Sequence, residues 1–464
     1  MIDLKNEHIR KVLEKSINDL IENNKESQLV SITKKIDNIE AISFFNKGKA
    51  VGQARAFWMS ASKDFYLVGI GSALEIKADT NPFDETKRKW ESLLKDAPVH
   101  NPYSVPGTGI VALGGMAFDP LKASTKLWEH FDTSQFRIPK FMLTIDKEDY
   151  YYTINWHVTR HDKVEDIIIE MTETEELLLT EYNNEQESLS IIEKQEIGVE
   201  KWKQTVKRAT DEIKYSDVEK IVLAREMRLT FDQKADIGSV LHRLYETQPN
   251  SYLFAFEQGD NCFVGATPER LVKLEEKLLF STCLAGTAPR GNSLKEDEKI
   301  ASELLHDDKN REEHEFVVQM IKAAMEDYCI DLRIPAEPVI YPLRNLQHLY
   351  TPVTGKLKNG YSIFDVIEKL HPTPALGGTP KEASLAFIRE NELLDRGWYG
   401  APFGWMDNKE NGEFAVAIRS ALIQGDEASL FAGCGVVKDS DPESEFEETN
   451  IKFLPMLSVL GGQD

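Results

Sequence analysis

Short, alternating apolar segments recur through the C-terminal half of the chain, and they limit its fold more than any other feature. "KIVLAREMRLTF", "YLFAFEQ", "NCFVGATPERLVKLEEKLLFSTCLAG", "EFAVAIRSALIQ" and "ASLFAGCGVV" are rich in Val, Phe, Ile and Leu, a composition suited to a pleated, half-buried surface. Between them run long helical patterns, notably "EDEKIASELLHDDKNREEHEFVVQMIKAAMEDY". Strand meanders interrupted by helices imply a mixed α/β (α+β) protein with large antiparallel sheets. The first 190 or so residues mix both patterns, with strands expected at "FYLVGIGSALEI", "GIVALGGMAF" and "YYTINWHV". No internal repeat is visible. The polar segment "TEYNNEQESLS" makes a soft boundary near residue 185, before a helix around "VEKWKQTVKRATDEIK". The chain therefore divides into a less motif-rich portion, 1–195, and a portion dense in motifs, 196–464.

A length of 464 residues suits one large unit or two to three ordinary domains. The longest apolar runs fall far short of the roughly 20 residues that cross a bilayer, which argues against a membrane protein. "MIDLKNEHIRKVLEKSINDLI" reads as an amphipathic helix with Leu13, Ile17 and Leu20 on one face, and not as a signal peptide. Cys262, Cys283, Cys329 and Cys434 are scattered, without a C-x-x-C pair, which fits a reducing compartment and no disulfide framework. These features together point to the cytoplasm. A net charge of −23 argues against nucleic acid as a partner. It also means that an anionic ligand needs a locally positive site.

Most isolated motifs have a plain structural reading. "GIGSAL" at 69–74 lacks the third glycine of a dinucleotide loop and reads better as a turn between strands. Cys434, at the end of an apolar strand with no evident base, reads as a small residue in close packing. His306 and His314 lack the spacing of a zinc helix. In "DKNREEHEF", Glu312 and Glu313 read first as a solvated acidic face. In "GCGVVKDSDPESEFEETNIK", Glu445, Glu448 and Lys452 share one face of a second acidic helix. The two clusters offer an alternative, convergence on one cation, since magnesium is typically held by one or two carboxylates plus waters and an anionic ligand. Lys220 opens the strand "KIVLAR", either as a rim lysine or pointing inward. Glu269 sits at a strand-to-turn junction in "GATPERL". Arg419, inside the apolar strand "AIRSA", needs an anionic partner because charge is rarely buried unpaired.

Taken together and in order, "KIVLAR", "GATPERL", "LAGTAPRG", "EEHEFVV", "NLQHLYTPVTG", "HPTPALGGTPKEASLAFI", "GWMD", "GEFAVAIRSA" and "AGCGVV…EFEETNIK" resemble the chorismate-utilising enzymes, and among them the isochorismate synthases. The resemblance is dense from about residue 200 onward and thinner before it. It implies one compact unit with a large two-sheet core flanked by helices, and magnesium-dependent conversion of chorismate to isochorismate. By resemblance, Glu313 and Glu448 hold Mg²⁺ with Glu445 close by. Arg419 and Lys452 receive substrate carboxylate, and Gly286, Thr287, His348, Ala375, Leu376 and Gly433 line the substrate pocket. Lys220 matches the general base that takes a proton from water attacking C2. Glu269 matches the general acid that protonates the departing C4 hydroxyl.

Hydroxide is a poor leaving group, so an acid must donate in the transition state. A carboxyl does so near neutral pH only if burial raises its pKa. A lysine acts as base only where its surroundings favour the neutral amine. The amine-forming relatives usually carry glutamine at the position of Lys220, and some place a nucleophilic lysine at that of Ala285. This chain has neither feature and no visible glutaminase region, so water is the expected nucleophile and no glutaminase subunit is expected. Salicylate synthases are the nearest competitor, but "HPTPALGG" resembles the isochorismate type. The long N-terminal region resembles menaquinone-pathway enzymes more than siderophore-pathway ones. A catalytically silent chorismate-binding protein would be expected to lose one of Lys220, Glu269, Glu313 or Glu448, and all four are present.

Overall fold

A computed structural model describes residues 2–52, 54–180, 188–291, 293–342 and 346–462. Most of the polar segment expected as a soft boundary, residues 181–187, lies outside the described residues. Two large sheets dominate. One has 13 strands and the other 10 among the described residues, and every pairing is antiparallel except that of Ser27–Ile36 with Val99–His100. Both sheets take strands from before and after residue 195.

The aromatic residues expected in strands fill the space between the sheets. Trp58, Phe254, Phe256, Phe263 and Phe431 of the larger sheet meet Trp405, Phe403 and Ala415 of the smaller one in one fully buried cluster. Phe254 and Phe403 rings lie 4.8 Å apart, within the range where aromatic pairs attract beyond simple area burial. Helices cover the outer faces. Leu13, Ile17 and Leu20 of the N-terminal helix Ile2–Glu22 pack against the larger sheet as their shared face predicts. Phe83 and Trp90 of Pro82–Lys95 and Val318 and Ile321 of Asp308–Glu326 cover the smaller one. The long helical pattern at 296–328 resolves into two helices, Leu294–His306 and Asp308–Glu326. The break is local chemistry: the Asp307 carboxylate accepts from the backbone N–H of Asn310 and starts the second helix.

The chain passes from one sheet to the other at a few sharp crossovers, and these bear on function. "GIGSAL" is one: Gly71, at φ +68°, turns the chain between strands Phe65–Ile70 and Leu74–Ala78 of different sheets. Thr267–Arg270 is a second, joining Asn261–Thr267 to Arg270–Glu275. Val416–Ser420 is a third, joining Gly412–Val416 to Ser420–Gln424. The last two lie side by side: Val416 N–H donates to Glu269 O (3.0 Å), and Ala266 N–H donates to Arg419 O (3.0 Å).

Candidate active site

The strand Lys220–Phe231 carries its first residue to the end of the larger sheet, paired with Glu427–Val436 in a register that sets Val222 opposite Gly435 and Ala224 opposite Gly433. The Lys220 side chain lies across Gly435, where a Cβ would come within 2.6 Å of its Cε. Glycine there makes room for the lysine. The Lys220 ammonium reaches to 3.9 Å from Glu313 Oε1, a loose pairing of two partly exposed groups.

Glu313 is held by its neighbour. His314 is buried, with Nδ1 3.1 Å from Ala285 O and Nε2 2.7 Å from Thr351 Oγ1. Burial pushes its pKa below the ordinary value, so the ring is neutral: Nδ1–H donates to the carbonyl and Nε2 accepts from the hydroxyl. His314 thus ties its helix to both strands of the Leu278–Pro289 and Leu346–Leu357 hairpin, which leaves Glu313 on the open side. His306 is exposed, with Nδ1 2.7 Å from Ser302 O. Neither histidine has the surroundings of a metal ligand.

The same hairpin bulges at Gly286, whose φ of +75° is accessible to glycine. The bulge turns Thr287 toward His348, with Oγ1 2.9 Å from Nδ1, while Thr287 N–H donates to Asn310 Oδ1 (3.2 Å). Burial lowers the pKa of His348, and the positive charge of Arg419 acts in the same direction.

Arg419 does not sit within a strand as the sequence pattern suggests. It occupies the third crossover with φ +51°, a conformation that costs a side-chain-bearing residue free energy. It is largely enclosed, burial depresses its pKa, and among the described residues no carboxylate pairs with it. Tyr399, which sequence reasoning did not single out, lies beside it. The Tyr399 hydroxyl is 3.4 Å from where a Gly433 Cβ would stand, and burial raises its pKa well above the ordinary value while Arg419 opposes the shift. Its only signal in the sequence is a tyrosine within the glycine-rich "RGWYG".

Glu269 stands at the adjoining crossover. Burial alone raises its pKa from 4.5 to about 7, and among the described residues its carboxyl has no hydrogen-bond or ion-pair partner. Part of its surface is accessible, yet the protein packed around the carboxyl withdraws enough water to favour its neutral form. Leu376 is buried and Ala375 exposed in a turn closed by Leu376 N–H to Thr373 O (2.9 Å). That turn leads into Gly378 and Thr379, which pair with Ile221 and Lys220.

The second acidic helix, Pro442–Val459, packs against the strand that carries Gly433. Lys452 donates to Gly433 O (2.9 Å) and Glu448 Oε1 (2.6 Å). Glu445 borders the Cys434 thiol and helps to raise its pKa after burial itself, so Cys434 is an inert packing residue. Glu445 Oε2 is a buried acceptor without a hydrogen-bond partner, the kind of atom a cation would satisfy. Among the described residues no three His, Cys, Asp or Glu side chains form a ready-made metal cluster. Glu313 lies 3.9 Å from the Lys220 ammonium and Glu448 2.6 Å from that of Lys452, and carboxylates of this kind are the oxygen ligands a hard cation takes together with water and an anion.

The family model for "Chorismate binding enzyme" matches residues 12–461. The chain belongs to this family. It is 41% identical to "Isochorismate synthase MenF" of Bacillus subtilis over 443 residues, covering 94% of both chains. It is 31% identical to "Salicylate biosynthesis isochorismate synthase" of Pseudomonas aeruginosa, covering 94% of this chain and 91% of that protein. Its fold matches that of the menaquinone-specific isochorismate synthase MenF from Escherichia coli, with a TM-score of 0.79 at 23% identity over 97% of this chain and 100% of the other. Anthranilate synthase component I from Streptococcus pneumoniae shares the fold with a TM-score of 0.67 at 20% identity, over 85% of this chain and 92% of that one. The two-sheet architecture is thus common to proteins named isochorismate synthase and anthranilate synthase component I. Among the described residues no helix is long and apolar enough to cross a membrane.

Proposed function

We propose that this chain is an isochorismate synthase that adds water at C2 of chorismate and expels the C4 hydroxyl, acting in menaquinone biosynthesis. The observation that supports the reading is the desolvated Glu269, whose pKa burial raises to about 7, in a chain that also carries a lysine, Lys220, at the end of the larger sheet. Lys220 takes the proton from the attacking water. Glu269 donates its proton to the C4 oxygen as that bond breaks and the ring double bonds shift, so one water enters and one leaves. A lysine in place of glutamine at residue 220 favours water over ammonia, and the relatives named as isochorismate synthases match along most of the chain.

Arg419 and Tyr399 receive a substrate carboxylate: a largely enclosed cation that pairs with no carboxylate among the described residues, and a hydroxyl beside it. Thr287 and His348 form one wall, with Gly286, Ala375, Leu376 and Gly433 completing the pocket and Lys452 at its rim. Glu313 and Glu448, with Glu445 close by, would hold Mg²⁺. When bound, that ion supplies positive charge for the ring carboxylate in an otherwise strongly acidic protein. Product analysis tests the reading. Isochorismate formed from chorismate with Mg²⁺, and none with chelator, is expected. Salicylate with pyruvate would reassign the chain to the lyase-competent relatives, and unchanged chorismate from folded protein would leave a binding function.

A further inference from the structure

The strand that carries Lys220 has an incomplete outer edge. At its start, Lys220 and Ile221 pair with Thr379 and Gly378. From Met227 to Phe231 it pairs with Ile191–Glu196, and Ile197 N–H reaches Glu226 O (3.1 Å). Between those two pairings no strand among the described residues lies along that edge, although the Val222 carbonyl and the Ala224 N–H face it. An ion pair fills the gap. Glu392 Oε2 accepts from Ala224 N–H (2.7 Å), and Arg396 Nη2 donates to Val222 O (2.7 Å). The two side chains join through Nε to Oε1 and Nη2 to Oε2, both 2.7 Å.

Arg396 also donates through Nη1 to Leu376 O (3.0 Å) and stacks on the Phe118 ring, 4.1 Å from its centroid. The residues are 6% and 3% exposed. Replacing a buried ion pair by apolar residues is often neutral or stabilising, so stability alone is a weak reason to hold this one. Each bond it makes beyond the pair itself goes to the backbone of the Lys220 strand or of the Leu376 turn. A neighbouring strand would satisfy the edge but would run into Gly378 and Thr379, which follow the turn at 373–377 and already pair with Ile221 and Lys220. The planar guanidinium and the carboxylate supply the same donors and acceptors from a compact body, in a geometry that a fork–fork pair fixes.

We propose that Glu392 and Arg396 are positioning residues that stand in for a missing strand, locking Lys220 and the Ala375–Leu376 turn into one register across the pocket. The proposal rests on Lys220 being the base, and its test separates the two. In the Mg²⁺-loaded full-length enzyme, R396K keeps the charge and loses the fork. Amide exchange should quicken at residues 220–226 and 375–379 and stay unchanged elsewhere. The kcat should fall about tenfold or more while KM for chorismate moves less than about threefold, because Arg419 and Lys452, the cations that would hold the substrate's carboxylate, make no hydrogen bond with the pair among the described residues. Should R396K fail to fold, E392Q, which keeps an acceptor for Ala224, is read by the same two measurements. Wild-type kcat in a folded variant, or exchange raised uniformly over the chain, would overturn the proposal. Turnover by K220M would overturn the base assignment itself, an outcome separable from a failed clamp because exchange at residues 220–226 would still respond to R396K.

Discussion

Replacing Glu269 by glutamine should make the protein more stable at pH 8 and much less active. In the folded chain burial raises this carboxyl from 4.5 to about 7, with no partner to offset it. Below pH 4.5 both folded and unfolded chains carry the proton, and the group contributes no pH dependence. As pH rises from there toward 7 the unfolded chain ionises while the folded one keeps its proton, so stability falls. Above 7 the penalty is complete. At about 1.4 kcal/mol per pH unit, the interval from 4.5 to about 7 corresponds to about 3 kcal/mol.

Glutamine is neutral throughout and close in shape, so it escapes this penalty. Urea unfolding of wild type and E269Q at pH 4.5, 6, 7 and 8 would follow the difference between them. The variant should gain about 3 kcal/mol on the wild type between the lowest and highest pH, whatever constant offset packing adds. Its kcat should drop by about 10²–10⁴, the usual contribution of a general acid. Wild-type turnover should decline above pH 7 as Glu269 loses its proton. A stability difference that is flat with pH would refute the argument, because it would mean that Glu269 is ionised in the folded protein as it is in water.

Further expectations follow from the same geometry. Gly435→Ala places a methyl group 2.6 Å from Lys220 Cε, displacing the lysine, and kcat should fall by up to about 10²-fold with the fold retained by circular dichroism. K220A should abolish turnover while Mg²⁺-dependent binding of chorismate, followed by calorimetry, persists; loss of both would make the lysine structural. Arg419→Met removes the largely enclosed cation at the third crossover, and KM should rise about 10- to 100-fold, matching a charged hydrogen bond of about 1.5–3 kcal/mol. E313Q and E448Q should each raise the Mg²⁺ concentration needed for half-maximal activity by about tenfold or more, and an unchanged requirement would remove that carboxylate from the metal site.

The site residues were legible unevenly. Lys220 and Glu269 stand in segments whose residue types already suggest chemistry, and the helix spacing of Glu445, Glu448 and Lys452 puts them on one face. Arg419 reads as a strand residue because the apolar pattern of "EFAVAIRSALIQ" runs through it without a break. What interrupts the strand is the change of sheet, a long-range event with no local signal. Tyr399, Glu392 and Arg396 escaped notice for a related reason: each acts through a partner more than 15 residues away, on Gly433, Ala224, Val222 or Leu376.

By itself the sequence determined the elements and the chemical types: strands from alternation, helices from their period and caps, and a set of acids, bases and glycines in a recognisable order. These are local properties, written in neighbouring side chains. Tertiary structure alone decided that Glu269 and Arg419 meet at adjoining crossovers, that Gly435 clears a path for Lys220, and that Glu269 loses its water. Desolvation depends on what the rest of the chain packs around a carboxyl, and that information is spread over both sheets.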